Sequence, residues 1–362
     1  MELRPVLETP KTRLVGYAKI EGERPAFVTG YKETETKGRF IPIVSTTLSY
    51  RDVLGGWAVR WDIRRNDYKV APGLYAVGDP GPSSPMLVTA NYKLTFDRLR
   101  KELASLDAWI VVLDTKGINV WCAAGKGTFG TAELLDKITR LRLRDLVSHD
   151  VLILPQLGAP GVSAPEIARV SRFRVVWGPV RAADIPAFLK AGMEKTQAMR
   201  EVRFGLADRM ALAPVEFVHA WPFMLGALTL SFLGALPLGT GFGHRLGWLV
   251  AATMGSVLAG SLAFPALLPI LPTRAFSIKG AILGAAWGTV CAAAGGMGLG
   301  MGAAVVLSCA PATSFIALNF TGSSTYTSQT GANLEVEKSI MPTIASLVLG
   351  MALGAAFRIF RL

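Results

Sequence analysis

The sequence is poor in the residues that bind metals and carry most enzyme chemistry. It has 362 residues, with three cysteines (Cys122, Cys291 and Cys309) and three histidines. No two cysteines follow a CxxC spacing, so we expect neither an iron–sulfur cluster within this chain nor a disulfide scaffold. We also find no Ser/His/Asp set and no close carboxylate pair of the kind that hydrolases use. His149 stands just before a predicted strand, where a structural role is expected.

Charge is scarce in the C-terminal part of the chain. Residues 213–362 contain six Lys/Arg and three Asp/Glu, whereas residues 1–212 contain 32 and 23. This contrast predicts a charged globular part followed by a membrane part. The formal net charge of +12 would suit a nucleic-acid partner. However, no basic stripe is interleaved with aromatics, so we expect none, and the anionic surface of the cytoplasmic leaflet accounts for the charge more simply.

The C-terminal part contains about five apolar segments near the ~20 residues that cross a bilayer core. Arg200, Arg203 and Arg209 precede the first segment, which favours a multi-pass protein of the cytoplasmic membrane with its N-terminal domain in the cytoplasm. The start of the chain has no apolar signal-peptide core, in agreement with this orientation. With five spans the last helix ends outside, although Arg358 and Arg361 weigh mildly against that side. The segments are 214–237, 245–270, 276–296, 298–319 and 340–358.

Strand-like and helix-like segments alternate from residue 85 to residue 190. This alternation predicts a parallel sheet covered on both faces, with a Rossmann-like layout. Residues 39–80 mix short apolar runs with turns and predict an antiparallel, strand-rich entry. The predicted strands are 86–89, 109–114, 151–154 and 173–177, and the predicted helices are 96–106, 132–147, 164–171 and 185–190.

These patterns divide the chain into three parts. We expect an α/β domain over residues 1–190 and a juxtamembrane linker over 191–212. An all-α transmembrane domain of about five helices is expected over 213–362, with a cytoplasmic loop at 320–339. The hydroxyl-rich stretch 319–331 in this loop is either a flexible linker or a segment that docks on the first domain or covers its site.

Four loops follow the predicted parallel strands, and in open α/β sheets ligands bind at this carboxyl edge. The loops are rich in glycine and small residues and poor in acids and bases, which favours a cofactor-binding surface. Gly125-Lys126-Gly127-Thr128 lacks the upstream glycine of a P-loop, so nucleotide binding is not expected there. The loops are Ala90–Lys93, Thr115–Lys126, Pro155–Val162 and Gly178–Arg181.

The stretch Asn119-Val120-Trp121-Cys122-Ala123-Ala124-Gly125-Lys126 is the most informative in the chain. It predicts a helix of small residues that carries one cysteine at the end of a buried strand. Such a helix suits a large flat ligand that must approach the backbone closely. Taken alone, a cysteine followed by two alanines is more often a buried, inert thiol.

The residues from Val112 to Phe129 resemble the corrinoid-binding domain that two protein families share. The stretches 87–93, 156–162 and 319–331 also match, and the resemblance covers most of residues 40–345. One family is the large subunit of the corrinoid iron–sulfur protein of acetyl-CoA synthesis. The other is the mercury-methylating corrinoid protein family, HgcA. The lack of cluster cysteines and the apolar C-terminal segments favour the HgcA family.

The resemblance implies a cobalamin with Cys122 as the catalytic residue and lower axial cobalt ligand. A methyl group would pass from methylcobalamin to Hg(II), giving methylmercury, and a ferredoxin-like iron–sulfur protein of the HgcB type would supply electrons. The methyl donor stays open. The cofactor-binding residues implied are Asn91, Thr115, Gly117, Asn119, Val120, Trp121, Cys122, Ala123, Ala124, Gly125, Lys126, Gln156, Leu157, Gly158, Ala159, Gly161, Val162 and Gly178.

Thiolate chemistry suits this role. Sulfur is a strong, soft donor, and a thiolate ligand raises the electron density on the metal that it binds. Two other functions stay open: a membrane-anchored corrinoid methyl carrier of one-carbon metabolism, and a corrinoid transporter or sensor. Cys291 and Cys309 fall in predicted membrane helices, where they are either packing residues or thiols that exchange Hg(II).

Overall fold

The computed structural model describes residues 25–34, 39–236, 241–322, 324–327 and 329–359. It divides into two compact units. The first comprises Met1–Val59 and Ile63–Val202, and the second comprises Arg60–Asp62 and Arg203–Leu362. The first unit is a mixed α/β sheet domain and the second is helical. Residues 191–202, which we expected to be a linker, therefore belong to the α/β unit.

The α/β unit is built on a seven-stranded mixed sheet in the order β1-β2-β3-β5-β4-β6-β7. Strands β5, β4, β6 and β7 are mutually parallel, as the alternation predicts. The predicted parallel sheet is only part of a mixed sheet, because β3 runs antiparallel to β5 and β1 antiparallel to β2, while β2 and β3 are parallel. The strands are Val28–Thr34, Arg39–Val44, Gly73–Val77, Met86–Ala90, Ala108–Leu113, Val151–Leu154 and Arg174–Trp177.

Helices cover both faces of this sheet. Every residue of β5 is buried. Trp109, Val111 and Leu113 point into one apolar core, and Ile110 and Val112 point into the other. This two-sided burial explains why the strand is a continuous apolar run without polar alternation. The helices, α1 to α7, are Tyr50–Ala58, Lys93–Glu102, Val120–Gly125, Thr131–Arg140, Ala164–Ser171, Ile185–Lys190 and Gln197–Arg200.

The second unit contains four helices that are long and apolar enough to cross a membrane, or five if one bent pair forms a single span. The bent pair is Leu206–His219 with Trp221–Leu233, at an angle of 55°. A π-helical turn, Ala259–Ala263, joins two of the helices. The helices, α8 to α15, are Leu206–Met210, Ala213–His219, Trp221–Ala235, Phe242–Leu258, Phe264–Leu267, Phe276–Ala294, Leu299–Thr321 and Gln329–Ile359.

The connection between α14 and α15 is shorter than we expected. A loop was predicted over residues 320–339, but α14 continues to Thr321 and α15 begins at Gln329. The first turns of α15 are rich in polar residues, which is why a loop was expected there. They form helix because they pack on α13: the Glu335 carboxylate accepts hydrogen bonds from the Ser277 backbone N–H (2.8 Å) and hydroxyl (3.0 Å).

Glycines set the distance between α13, α14 and α15. A Cβ atom at Gly284 would lie 2.4 Å from the Cys309 carbonyl oxygen, and one at Gly288 would lie 3.0 Å from Val306 Cα. At Gly350 it would lie 2.7 Å from Ser308 Oγ. Gly284 and Gly288 have the GxxxG spacing, as do Gly350 and Gly354, and this spacing permits close helix contact. Cys291 and Cys309 are both buried in this unit, as expected of packing residues.

An ion network fixes α1 against α2 in the α/β unit. The fully buried Arg100 donates from Nε to Asp97 (2.8 Å) and from Nη2 to Asp52 (2.9 Å). Lys93 pairs with the same two carboxylates, so two cations and two anions balance. Arg100 also donates to the carbonyl oxygen of Ser45, which ties the segment before α1 to α2.

Asp52 is the carboxylate that the two helices share. Burial opposes its ionisation, but hydrogen bonds from Lys93 and Ser49 outweigh burial and hold its pKa well below the usual range. A carboxyl whose pKa is lowered on folding contributes stability that is complete above its unfolded pKa of about 4. That contribution disappears as the pH falls through the unfolded value towards the folded one.

We expect Asp52→Asn to lower the free energy of unfolding of the α/β unit by about 3 kcal/mol at neutral pH, because it leaves Arg100 and Lys93 with one carboxylate between them. The variant should also lose less stability than the parent protein below about pH 4, since it lacks the titrating group. Denaturant titrations of the full chain at several pH values measure both effects. Asp79→Asn is the matched control, because that side chain is 88% exposed in its pair with Lys32 and should change stability by less than about 1 kcal/mol. An acid profile of the Asp52 variant identical to that of the parent would contradict this account.

Candidate functional site

The loops that follow β4, β5, β6 and β7 lie at one edge of the sheet, because these four strands are parallel. The strand order places β5 on one side of β4 and β6 and β7 on the other. The chain therefore runs from β4 to β5 on one side and from β6 to β7 on the other. The point where the direction of connection changes lies between β4 and β6. A crevice at such a switch point is the common ligand site of α/β sheets.

Asn91, the first residue after β4, organises the turn that follows β5. It is 2% exposed, and its Oδ1 accepts hydrogen bonds from the backbone N–H groups of Thr115 (3.1 Å) and Gly117 (2.9 Å). Its Nδ2 donates to Asp114 Oδ1 (3.2 Å). The Thr115 hydroxyl lies 2.9 Å from Asn91 Oδ1 and 2.7 Å from the Ile118 carbonyl oxygen. The side chain of Asn91 thus provides the hydrogen-bond partner for the backbone N–H groups of the turn.

Two further features hold this turn. Gly117 has φ +76°, and a Cβ there would lie 3.0 Å from the carbonyl oxygen of Asn66, so the position favours glycine for two reasons. Asp114 accepts hydrogen bonds from the Lys116 backbone N–H (3.1 Å) and from Lys116 Nζ (2.7 Å). Burial opposes ionisation of Asp114, but its bonds to Lys116 outweigh burial and lower its pKa.

The turn leads into α3, which carries Cys122. Asn119 is the N-cap of this helix, and its Oδ1 accepts a hydrogen bond from the Cys122 backbone N–H at 2.9 Å. Val120, Ala123 and Ala124 form the buried face of the helix. The cap and the buried face together fix the position of the Cys122 backbone.

The other face of α3 is open. Cys122 is exposed, as are Gly125 and Lys126, and Trp121 is 42% exposed. Gly125 is on the same face one turn later, and a Cβ atom there would meet nothing within 4 Å. The alternative of a buried, inert thiol is therefore wrong. Cys122 stands on a surface with free space beside it, as a flat macrocycle requires.

The loop after β6 packs against α3. A Cβ at Gly158 would lie 2.5 Å from the Phe129 ring, and one at Gly161 would lie 3.0 Å from Ala124 Cα. Gly178, after β7, is buried and donates its N–H to the Leu154 carbonyl oxygen at 2.8 Å. Gly158 and Gly161 therefore allow the loop to pack closely against α3 and Phe129.

The eighteen residues implied by the resemblance thus lie at one edge but at two depths. The exposed or half-exposed residues can reach a ligand, whereas the buried ones hold the edge in shape. The first group is Asn119, Trp121, Cys122, Gly125, Lys126, Gln156, Leu157, Ala159 and Gly161, and the second is Asn91, Thr115, Gly117, Val120, Ala123, Ala124, Gly158, Val162 and Gly178. In the described part of the chain no three His, Cys, Asp or Glu side chains form a group that could hold a metal ion.

The segment after α6 also reaches this edge, which the sequence did not suggest. Lys195 Nζ donates to Gln156 Oε1 at 2.6 Å, and Gln156 Nε2 donates to the Arg200 carbonyl oxygen at 3.0 Å. His149, in contrast, lies before β6 at the opposite edge. Its two ring nitrogens contact the Ser84 carbonyl oxygen (2.9 Å) and the Val151 backbone N–H (3.2 Å), which is the structural role we expected.

About a third of this chain is similar to part of several curated proteins. A gamma subunit of the acetyl-CoA decarbonylase/synthase complex from Methanopyrus kandleri is 32% identical over 128 residues, which are 35% of this chain and 27% of that protein. The gamma subunit from Archaeoglobus fulgidus is 30% identical with the same coverage. The subunit from Methanothermobacter thermautotrophicus is 33% identical over 127 residues, or 34% of this chain and 27% of that protein.

These matches cover about a quarter of the length of each curated relative, and about a third of this chain. The family match covers residues 61–189, and the family is CdhD, that of the CO dehydrogenase/acetyl-CoA synthase delta subunit. All four loops of the carboxyl edge lie within this match, whereas the helical unit lies outside it.

Proposed function

We propose that this chain binds a corrinoid at the carboxyl edge of its sheet and carries a methyl group as a membrane-anchored subunit of one-carbon metabolism. The observation that carries the proposal is the exposed Cys122 thiol on the open face of α3. The family match supports the same role, because the similar gamma subunits belong to acetyl-CoA decarbonylase/synthase complexes. We also propose that the parallel half of the sheet, with strand order β5-β4-β6-β7, is Rossmann-like.

The residues of the edge fit a corrinoid, and cobalamin is the corrinoid that we propose. When bound, a corrinoid supplies a cobalt ion that takes up a methyl group and releases it to an acceptor. Cys122 would stand below that ion as a soft sulfur donor. Gly125 leaves room for the macrocycle beside the thiol. Trp121 and Lys126, both exposed, are placed to contact its rim.

The residues beneath the edge position the thiol. Asn119 caps α3 at the Cys122 N–H, and Asn91 holds the turn from which Asn119 emerges. A ligand held in one place by such outer contacts binds its metal better than a mobile one. Cys122 is the sole cysteine of the α/β unit, so we propose that a separate ferredoxin-like iron–sulfur protein supplies the electrons.

Cys122→Ala should change the visible absorption spectrum of the corrinoid-loaded full chain, because it removes the sulfur ligand. Methyl transfer should fall more than about tenfold, since changes to outer contacts of a metal ligand already cost 10–100-fold. Cys309→Ala, at a buried position in the helical unit, is the matched control and should leave the spectrum as it is. A Cys122→Ala spectrum that coincides with that of the parent protein would refute ligation by sulfur.

Hg(II) is the second candidate acceptor, and two observations favour it. The apolar helical unit lies wholly outside the family match, and the α/β unit has no cysteines for a cluster of its own. Both features accord with the resemblance to the HgcA family. In addition, Cys122 would offer the bound corrinoid a soft, electron-rich sulfur donor, which would suit donation of a methyl group to an electrophile such as Hg(II).

The two candidates differ in the acceptor that the loaded protein serves. A methyl-carrying full chain is offered either a carbonylating enzyme of the acetyl-CoA synthase type or Hg(II). The one-carbon role predicts transfer to the enzyme, with Hg(II) methylated no faster than by free methylcobalamin. Hg(II) methylation well above that rate, and lost in Cys122→Ala, would replace the first candidate by the second.

We also propose that the helical unit spans the cytoplasmic membrane five times, with α8 to α10 forming one bent span. Composition and length support this arrangement. With the α/β unit in the cytoplasm, five spans leave the C-terminus outside. A reporter active only outside the cytoplasm should then be active when fused after Leu362 and inactive when fused into a Thr273 loop insertion. The reverse pattern at the C-terminus would mean four spans.

A further inference from the structure

The helix α1 turns its apolar face outward. Four apolar side chains recur at the i, i+3, i+4, i+7 spacing of one helix face, and all four are exposed: Tyr50, Val53, Leu54 and Trp57. The opposite face packs on the protein, because Gly56 is buried and Asp52 pairs with Arg100 of α2. A helix that covers a sheet normally buries its apolar face, so the pattern of α1 is reversed.

Exposed apolar side chains are concentrated at this helix. Five of the eight large ones in the described part of the α/β unit lie between Tyr50 and Ile63. A contiguous apolar patch on a protein surface marks a site that binds a partner or a membrane. Tyr50, at 76% exposure, and Trp57, at 58%, are of the residue types enriched where proteins meet the headgroup region of a bilayer.

Basic residues accompany the apolar face. Residues 50–69 contain five Lys/Arg and three Asp/Glu, and the Asp52 carboxylate among them is paired with the buried Arg100. Arg51 and Arg64 are exposed. A helix with Trp and Leu on one face and arginine beside it is typical of helices that lie in the interface of an anionic bilayer.

The chain passes from α1 directly into the helical unit. The helix ends at Ala58, and Arg60–Asp62 already belong to the second compact unit. Within that unit the Trp61 ring meets the Phe217 ring edge to face, with the centroids 6.4 Å apart. Phe217 lies in the bent helix pair that can form one membrane span. Trp57 precedes Trp61 by four residues, which span at most about 14 Å. This continuity favours lipid over a separate protein as the occupant of the apolar face.

We propose that the exposed face of α1 docks on the anionic surface of the bilayer that the helical unit spans. Its four apolar side chains enter the headgroup region, and Arg51 and Arg64 bind lipid phosphates. This inference rests on the proposed membrane position of the helical unit and adds a second membrane contact, made by the α/β unit. Because Asp52 joins α1 to α2 through Arg100, the contact would hold the α/β unit on the bilayer surface.

Nitroxide spin labels on the full chain in phosphatidylglycerol nanodiscs test this docking. Cys122→Ser is the background, because the remaining cysteines are buried. The label is exposed to molecular oxygen, which dissolves in hydrocarbon, and to a water-soluble nickel chelate. The ratio of oxygen to chelate collisions should be several-fold higher at Leu54→Cys than at Val170→Cys, the matched control at an exposed apolar position of α5. Leu349→Cys, exposed on α15, reports whether the helical unit is itself in the bilayer.

Arg51→Gln tests the contribution of charge. In phosphatidylglycerol bilayers it should lower the ratio of lipid-immersed to water-exposed label at Leu54→Cys about fivefold, the contribution of one arginine near an anionic surface. In neutral phosphatidylcholine bilayers the same substitution should leave the ratio unchanged. An equal fall in the two lipids would overturn docking on anionic lipid.

The label positions separate this inference from the proposed function. If the Leu54→Cys label meets the chelate as often as the Val170→Cys label, while the Leu349→Cys label is in lipid, α1 does not dock and the helical unit still spans the membrane. If the labels of Leu54→Cys and Leu349→Cys both meet the chelate, the proposed membrane position is itself refuted. A Leu54→Cys label shielded from both reagents would mean that a second copy of the chain or another protein covers α1, and would also overturn docking on lipid.

Discussion

One buried amide oxygen holds the candidate site together. Asn91 Oδ1 accepts from two backbone N–H groups of the turn after β5, at Thr115 and Gly117. Without it the Gly117 N–H would be buried and unpaired, at a cost of about 1–3 kcal/mol, and the Thr115 N–H would keep only the Leu113 carbonyl oxygen at 3.1 Å. The turn sets where Asn119 begins α3, and α3 sets where Cys122 meets solvent. The chemistry at the surface therefore depends on a contact between the ends of two neighbouring strands.

The buried and half-buried cations of the α/β unit have two different kinds of partner. Around α1 and α2 the buried cations Lys93 and Arg100 each meet both of two carboxylates, so burial is compensated inside the protein. At the carboxyl edge Lys195 Nζ instead donates to the neutral side-chain amide of Gln156. The first arrangement compensates buried charges and stabilises the fold, whereas the second fixes a lysine at the edge without a carboxylate partner in the described part of the chain.

The alternation of strand-like and helix-like segments was sufficient to predict the parallel half of the sheet and the presence of its helices. The strands β4 to β7 lie where alternation predicted them, because each apolar run needed burial on both faces. The helices between them are also present, although those predicted over 96–106 and 132–147 end earlier, at Glu102 and Arg140. The pairing of β3 with β2 and with β5 could not be predicted, since it joins segments far apart in sequence. The antiparallel β3–β5 pair turned an expected parallel sheet into a mixed one. The helical start of α15 was missed for a similar reason: its polar residues are held by Ser277 on another helix.

The sequence by itself determined that a small-residue helix with one cysteine follows a buried strand, and that apolar segments follow this domain. Amino-acid composition and the spacing of apolar residues are local properties of the sequence, so they predict these features without knowledge of the fold. Only the tertiary structure decided that Cys122 is exposed, that Asn91 and Thr115 lie beneath the surface, and that residues 195–200 return to the edge. Burial and hydrogen-bond partners come from chain segments distant in sequence, and no local pattern encodes them.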